Sequence, residues 1–126
     1  MRGVTITDSK NNFLKVDLVD ILQLLGSQAE NSEWEISDVE CVGSAADALH
    51  KLSDSKTRVP GHTLLQMAAH LTQVIDGEFI GCGEGEKQPW IIVRAVDSSA
   101  YDVQSEDEDV LAQIRCRFKE VTDFHS

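Results

Sequence analysis

Arg94 is the only charged residue inside the apolar run Trp90-Ile91-Ile92-Val93-Arg94-Ala95-Val96. A guanidinium on such a strand must reach solvent at the sheet's end or meet a carboxylate, because an unpaired buried charge is costly. Asp38, Asp76 and Glu78 are the candidate partners. The plainer outcome is a structural ion pair. The sharper one is a cavity on one sheet face, lined by Arg94, Asp38 and Glu78, that recognises a small polar ligand. His62 or His70 could join such a pocket.

Other chemistry is less well supported. Gly81-Cys82-Gly83-Glu84-Gly85-Glu86 has the glycine content of a phosphate-cradling loop, yet Glu84 and Glu86 would repel an anion and no Gly-Lys-Ser/Thr follows. It reads as a flexible connection between strands. Carboxylates beside Cys82 disfavour a reactive thiolate. Ser105-Glu106-Asp107-Glu108-Asp109 lacks the alternating ligand spacing of a calcium loop. Its better use is at a helix start, where the dipole favours acids, with Ser105 and Glu108 at capping-box spacing. Of the four histidines, His50, His62, His70 and His125, the pair His62 and His70 would lie about 12 Å apart along a helix, too far to ligate one ion. No metal site and no cofactor is implied. Trp34 and Trp90 sit in strand patterns beside core aliphatics; core packing is the first expectation for each, and an interface anchor the second.

The charge balance bounds the partners. Against 22 Asp and Glu stand 11 Lys and Arg, a formal net charge of -11 over 126 residues. Nucleic-acid backbones and anionic membranes are bound through cations, so both are disfavoured. A field of this sign attracts basic proteins and cationic small molecules. No stretch approaches the roughly 18 apolar residues of a membrane span, no signal-peptide pattern opens the chain, and Cys41, Cys82 and Cys116 fit neither a disulfide framework nor a zinc ribbon. A cytoplasmic location follows as the expectation.

These residues must be positioned by regular elements. Val4–Thr7 and Phe13–Val16 read as a hairpin across a polar turn. Leu18, Ile21, Leu22 and Leu25 recur at helical spacing between Asp17 and Gly26. Trp34, Ile36, Val39 and Cys41 alternate with polar residues until the pattern slips at Asp38, as at a β-bulge. Ser44 and Asp47 suggest a capped second helix. Leu64, Leu65, Ala68 and Leu71 mark a third, ending near Asp76-Gly77, before a strand at Glu78–Ile80. Trp90–Val96, apolar at nearly every position, reads as a central strand covered on both faces, with 100–104 as its hairpin partner. Val110, Leu111, Ile114, Phe118 and Val121 define a last helix.

The expectation is a single α+β domain over residues 1–126, with about four helices and a mainly antiparallel sheet of about five or six strands. The expected function is that of a small, non-enzymatic, acidic binding module, such as an inhibitor or adaptor of a basic protein. The alternatives are a ligand sensor or enzyme built around Arg94, Asp38 and Glu78, and a structural homodimer whose second copy covers the sheet.

Overall fold

The computed structural model describes residues 1–125 and, of His125, the backbone alone. Seven strands form one antiparallel sheet: β1 (Arg2–Ile6), β4 (Ser32–Gly43), β5 (Val59–Pro60), β6 (Leu71–Gly83), β7 (Pro89–Val96), β8 (Ala100–Ser105) and β9 (Val121–His125). Their spatial order is β5-β4-β6-β7-β8-β1-β9. A separate hairpin joins β2 (Ser9–Lys10) to β3 (Phe13–Leu14). The helices are α1 (Leu18–Leu25), α2 (Ser27–Glu30), α3 (Ala46–Ser55), α4 (Gly61–Ala69) and α5 (Glu108–Arg117). The fold is therefore α+β, with more strands than the sequence pattern suggested.

The helices begin and end for identifiable reasons. Asp20 accepts a hydrogen bond from the Asp17 N–H at 2.9 Å and so stabilises the first turn of α1. Gly26, at φ 62°, stops that helix in a conformation glycine adopts freely. The acidic run does open α5, but through Asp107, whose carboxylate accepts from the Asp109 N–H at 3.0 Å. Ser105 instead donates to the Trp90 carbonyl at 2.6 Å, tying the helix entry to β7. Ser44 likewise caps no helix; it donates to the His70 carbonyl.

Three expected elements change. Residues 4–7 pair with β8 and β9, not with residues 13–16, so the first hairpin is the short β2–β3 alone. The third helix stops at Ala69, and Leu71 opens the 13-residue strand β6. The last helix stops at Arg117, and Val121 lies in β9. Here the buried carboxylate of Asp8 accepts from the backbone N–H groups of Lys119, at 2.9 Å, and Glu120, at 2.6 Å, holding that segment out of helical geometry.

Trp90–Val96 is not covered on both faces. Ile91, Val93 and Ala95 are buried toward the helices, whereas Ile92, Arg94 and Val96 alternate with them and are half-exposed. The apolar content of the outward positions misled the pattern; the sheet has one sealed face and one open one. The sealed face meets Leu18, Ile21, Leu22, Leu49, Leu64, Leu111 and Ile114 in one continuous core. Each such side chain contributes about 1.5–3 kcal/mol by leaving water. Packing is closest where α4 meets α2, since a Cβ on Gly61 would lie 1.8 Å from the Ala29 carbonyl oxygen.

The register slip foreseen at Asp38 is present, with β4 and β6 out of step between Ser37 and Glu40 and again between Glu40 and Cys41. Asp38 takes φ 52°, a left-handed conformation that Asp and Gly tolerate and β-branched residues resist. Asp38→Gly should therefore hold stability to within about 0.5 kcal/mol while Asp38→Val loses about 1–2 kcal/mol, read from urea midpoints. Tyr101, wholly buried with its hydroxyl unpartnered among the described residues, should tolerate Tyr101→Phe with a change below about 0.5 kcal/mol in the same assay.

Candidate functional site

The open face of the sheet is laid out by register. Ser37 lies opposite Glu78, Glu78 opposite Arg94, Arg94 opposite Asp102, and Asp102 opposite Thr5, a polar row across five strands. The neighbouring row runs Glu35, Ile80, Ile92, Gln104, Gly3 and Phe124. Both rows point outward because residues two apart on a strand share a side-chain direction, as opposed residues do, while the residues between them point into the core. Apolar Ile80 and Ile92 thus sit beside a charged band.

Within that band Arg94 is engaged by Glu78. Its Nε donates to Oε2 at 3.2 Å, and its Nη2 makes a closer bond to the same oxygen. The side chains are 42% and 29% exposed, so water screens the pair and its contribution to stability is small. Asp102 turns the other way and accepts from the Thr5 hydroxyl at 2.7 Å. Asp76 accepts from the Asp97 N–H at 2.8 Å, which orders the three-residue β7–β8 turn, where Asp97 and Ser98 take φ 47° and 57°.

Asp38, Glu78 and Arg94 do come together. With Asp76, Gly77 and Ala95 they line a depression of about 210 Å³ beside the bulge. Glu78 is the ion-pair partner, and Asp38 stands exposed at the margin. His62 and His70 lie elsewhere. His62 borders a hollow with Glu30, Glu33 and Glu84, and His70, at the end of α4, borders one with Gln66 and Met67. His50 is half-exposed on α3, and the His125 side chain lies outside the described residues.

The two tryptophans form an edge-on pair with ring centroids 6.3 Å apart. Trp34 is wholly buried and donates to the Ala29 carbonyl at 3.0 Å; Trp90 is half-buried and donates to Ser32 at 2.8 Å. Trp34 therefore has no surface to offer a partner. Cys82 is buried at the end of β6, with Arg58 Nη2 3.6 Å from its sulfur, so Gly81-Cys82-Gly83 is strand and the connection begins at Glu84. Arg58 also donates to the Glu86 carbonyl at 2.9 Å and steadies that turn. Among the described residues no cluster of three His, Cys, Asp or Glu could hold a metal ion, and no helix is long and apolar enough to cross a membrane.

Sequence reasoning singled out Asp38 but not Glu33, Glu35 and Glu40 along the same exposed margin of β4. Glu33 and Glu35 before the bulge, and Asp38 and Glu40 after it, all reach water and continue the acidic character of the face. Their alternation with Trp34 and Ile36 was the available signal. Comparison with known proteins finds no matching family model, no similar curated protein and no similar solved structure, so the chemistry of the face rests on its own residues.

The Arg94–Glu78 pair makes a direct test of the face's charge order. Either single reversal, Arg94→Glu or Glu78→Arg, should cost about 1 kcal/mol through like charges placed opposite one another. The exchanged double variant should recover most of that loss, measured as the coupling in a urea double-mutant cycle.

Proposed function

We propose that this protein is a small acidic binding module whose open sheet face receives a basic protein partner, as an inhibitor or adaptor does. The observation that carries the reading is the composition of that face. Glu33, Glu35, Glu78 and Asp102 stand there against Arg94, Arg58, whose guanidinium lies 3.8 Å from Glu33, and the marginal Lys56, which donates to Ser37 at 2.9 Å. Half-exposed Ile80, Ile92 and Val96 supply apolar area among the charges. Binding faces combine such elements: aliphatic area for affinity, and a charge pattern that speeds encounter and rejects like-charged surfaces. The net charge of -11 reinforces the preference over longer distance.

A second copy of the chain fits the face less well, because two copies would oppose acidic surfaces. The accessible area of 6816 Å² is close to the roughly 6,700 Å² of a compact monomer of this size. An area of that size asks for no subunit across the sheet, which favours a different protein as the occupant of the face.

Photo-crosslinking tests the reading. A benzophenone amino acid at position 92 should capture a protein rich in Lys and Arg in the source cell, and the same probe at the exposed α5 position 113 should not. Adding salt before irradiation should lower the yield several-fold, as screening weakens exposed charge pairs. Replacing Glu35 and Asp102 together by Lys should abolish capture. Equal capture at both positions, or capture of an acidic partner, would sink the proposal.

A further inference from the structure

A second site lies away from the open face and shares no residue with the polar and apolar rows described above. Between the β2–β3 hairpin, the start of α1 and the first residues of β6 is a cavity of about 400 Å³. Its polar lining is Asn12, Asp17, Thr72, Gln73 and Ser98; its apolar lining is Phe13, Leu14 and Val74. Three segments distant in sequence converge there. We propose that this cavity binds a small organic ammonium ion, with Asp17 as its counter-ion and Phe13 against its apolar part.

The charge argument comes first. Asp17 is the one ionisable group in the lining, and no Lys, Arg or His borders the cavity, so an anion would meet a carboxylate with nothing to balance it. The ion pairs of the described residues do not include Asp17. Partial burial, and then the nearby Asp20 carboxylate, push the Asp17 carboxyl above the usual aspartate range. Burial, and then the charge of Asp17, push the Tyr101 phenol further above its ordinary range. A bound cation would relieve both strains.

The remaining groups set the kind of cation. A hard metal ion wants several carboxylate or carbonyl oxygens in a tight shell, and a single carboxylate is poor provision. An ammonium group needs only one counter-ion, with amide and hydroxyl oxygens for its remaining N–H donors. Asn12, Gln73, Thr72 and Ser98 carry such oxygens. Asn11 and Asn12, at φ 54° and 68°, form the hairpin tip that leaves Phe13 76% exposed at the rim. Leaving a phenyl ring in water forgoes the gain of apolar burial. Packed on a ligand it would recover apolar burial, and its π face attracts a cation within about 6 Å. The chain's net charge of -11 draws such ligands toward it.

The test uses three isosteric probes, 2-phenylethylammonium, 2-phenylethanol and phenylacetate, titrated into the full chain and followed by amide chemical shifts. The ammonium should bind saturably, at least tenfold more tightly than the alcohol, with phenylacetate not binding. The shifts should centre on residues 12–17, 72–74 and 98. Asp17→Asn keeps an equally good helix N-cap, so it should leave the spectrum elsewhere unchanged while erasing the ammonium's advantage over the alcohol. Phe13→Ala should weaken both ligands, the ammonium more than the alcohol, which lacks the cation–π attraction. Absence of saturable ammonium binding, equal affinity for the alcohol, unaltered affinity in Asp17→Asn, or shifts centred on another surface would each overturn the proposal. Because the open face contributes nothing to this cavity, failure here leaves the crosslinking result untouched.

Discussion

The pairing of β4 with β6 is the longest interaction in the sheet, and the irregularity at its middle decides what each face of the protein can be. On β4, Trp34 and Ile36 point into the core at even positions, while Val39 and Cys41 point inward at odd ones. On β6 the inward residues are Phe79 and Gly77, then Val74. The shift between Ser37 and Glu40 is offset by the one between Glu40 and Cys41, and a further shift follows between Val42 and Gly43. A regular ladder would turn Val39 and Cys41 out to water, since a one-residue shift moves a whole strand half to the other face. The extra residue is absorbed at Asp38, where the left-handed backbone re-aims the chain.

That bend has an electrostatic consequence. It brings Asp38 and Asp76 beside Glu78 and Arg94, concentrating carboxylates where strand pairing is loosest. The neighbouring helix α3 closes the edge of β4 in the same region, its Ser53 hydroxyl accepting from the Val39 N–H at 3.3 Å. A backbone donor released by the bulge is thereby satisfied, and the edge is blunted against pairing with another chain. What remains accessible is the flat of the sheet, not its rim at β4.

Much of this was legible from local pattern. The α+β class, the bulge at Asp38, the β7–β8 hairpin and the proximity of Arg94 to Glu78 and Asp38 all follow from residues whose partners are near in sequence or from one charge among aliphatics. The failures share a cause. Leu71 and Val121 both continue a helical spacing, and nothing nearby forbids it. Val121 is withheld from α5 by Asp8, which is 111 residues away from the Lys119 amide it accepts from. Leu71 is claimed by pairing with Gly43 across the two helices between them. Long-range hydrogen bonds overrode local periodicity in both places. The cavity beneath Phe13 was invisible for the same reason, being assembled from three separated segments.

Two-sided burial was the weightiest misreading, and its correction changes what the fold is for. A strand sealed from both sides would have made Arg94 a buried charge, tolerable only with a tightly packed counter-ion. On a one-sided sheet the guanidinium is half in water, and its pairing with Glu78 costs little to break or re-form. Stability resides in the apolar face packed on the helices, so the open face is relieved of holding the protein together. Its isoleucines and carboxylates are then spared that task, and side chains there can exchange contacts without disturbing the core.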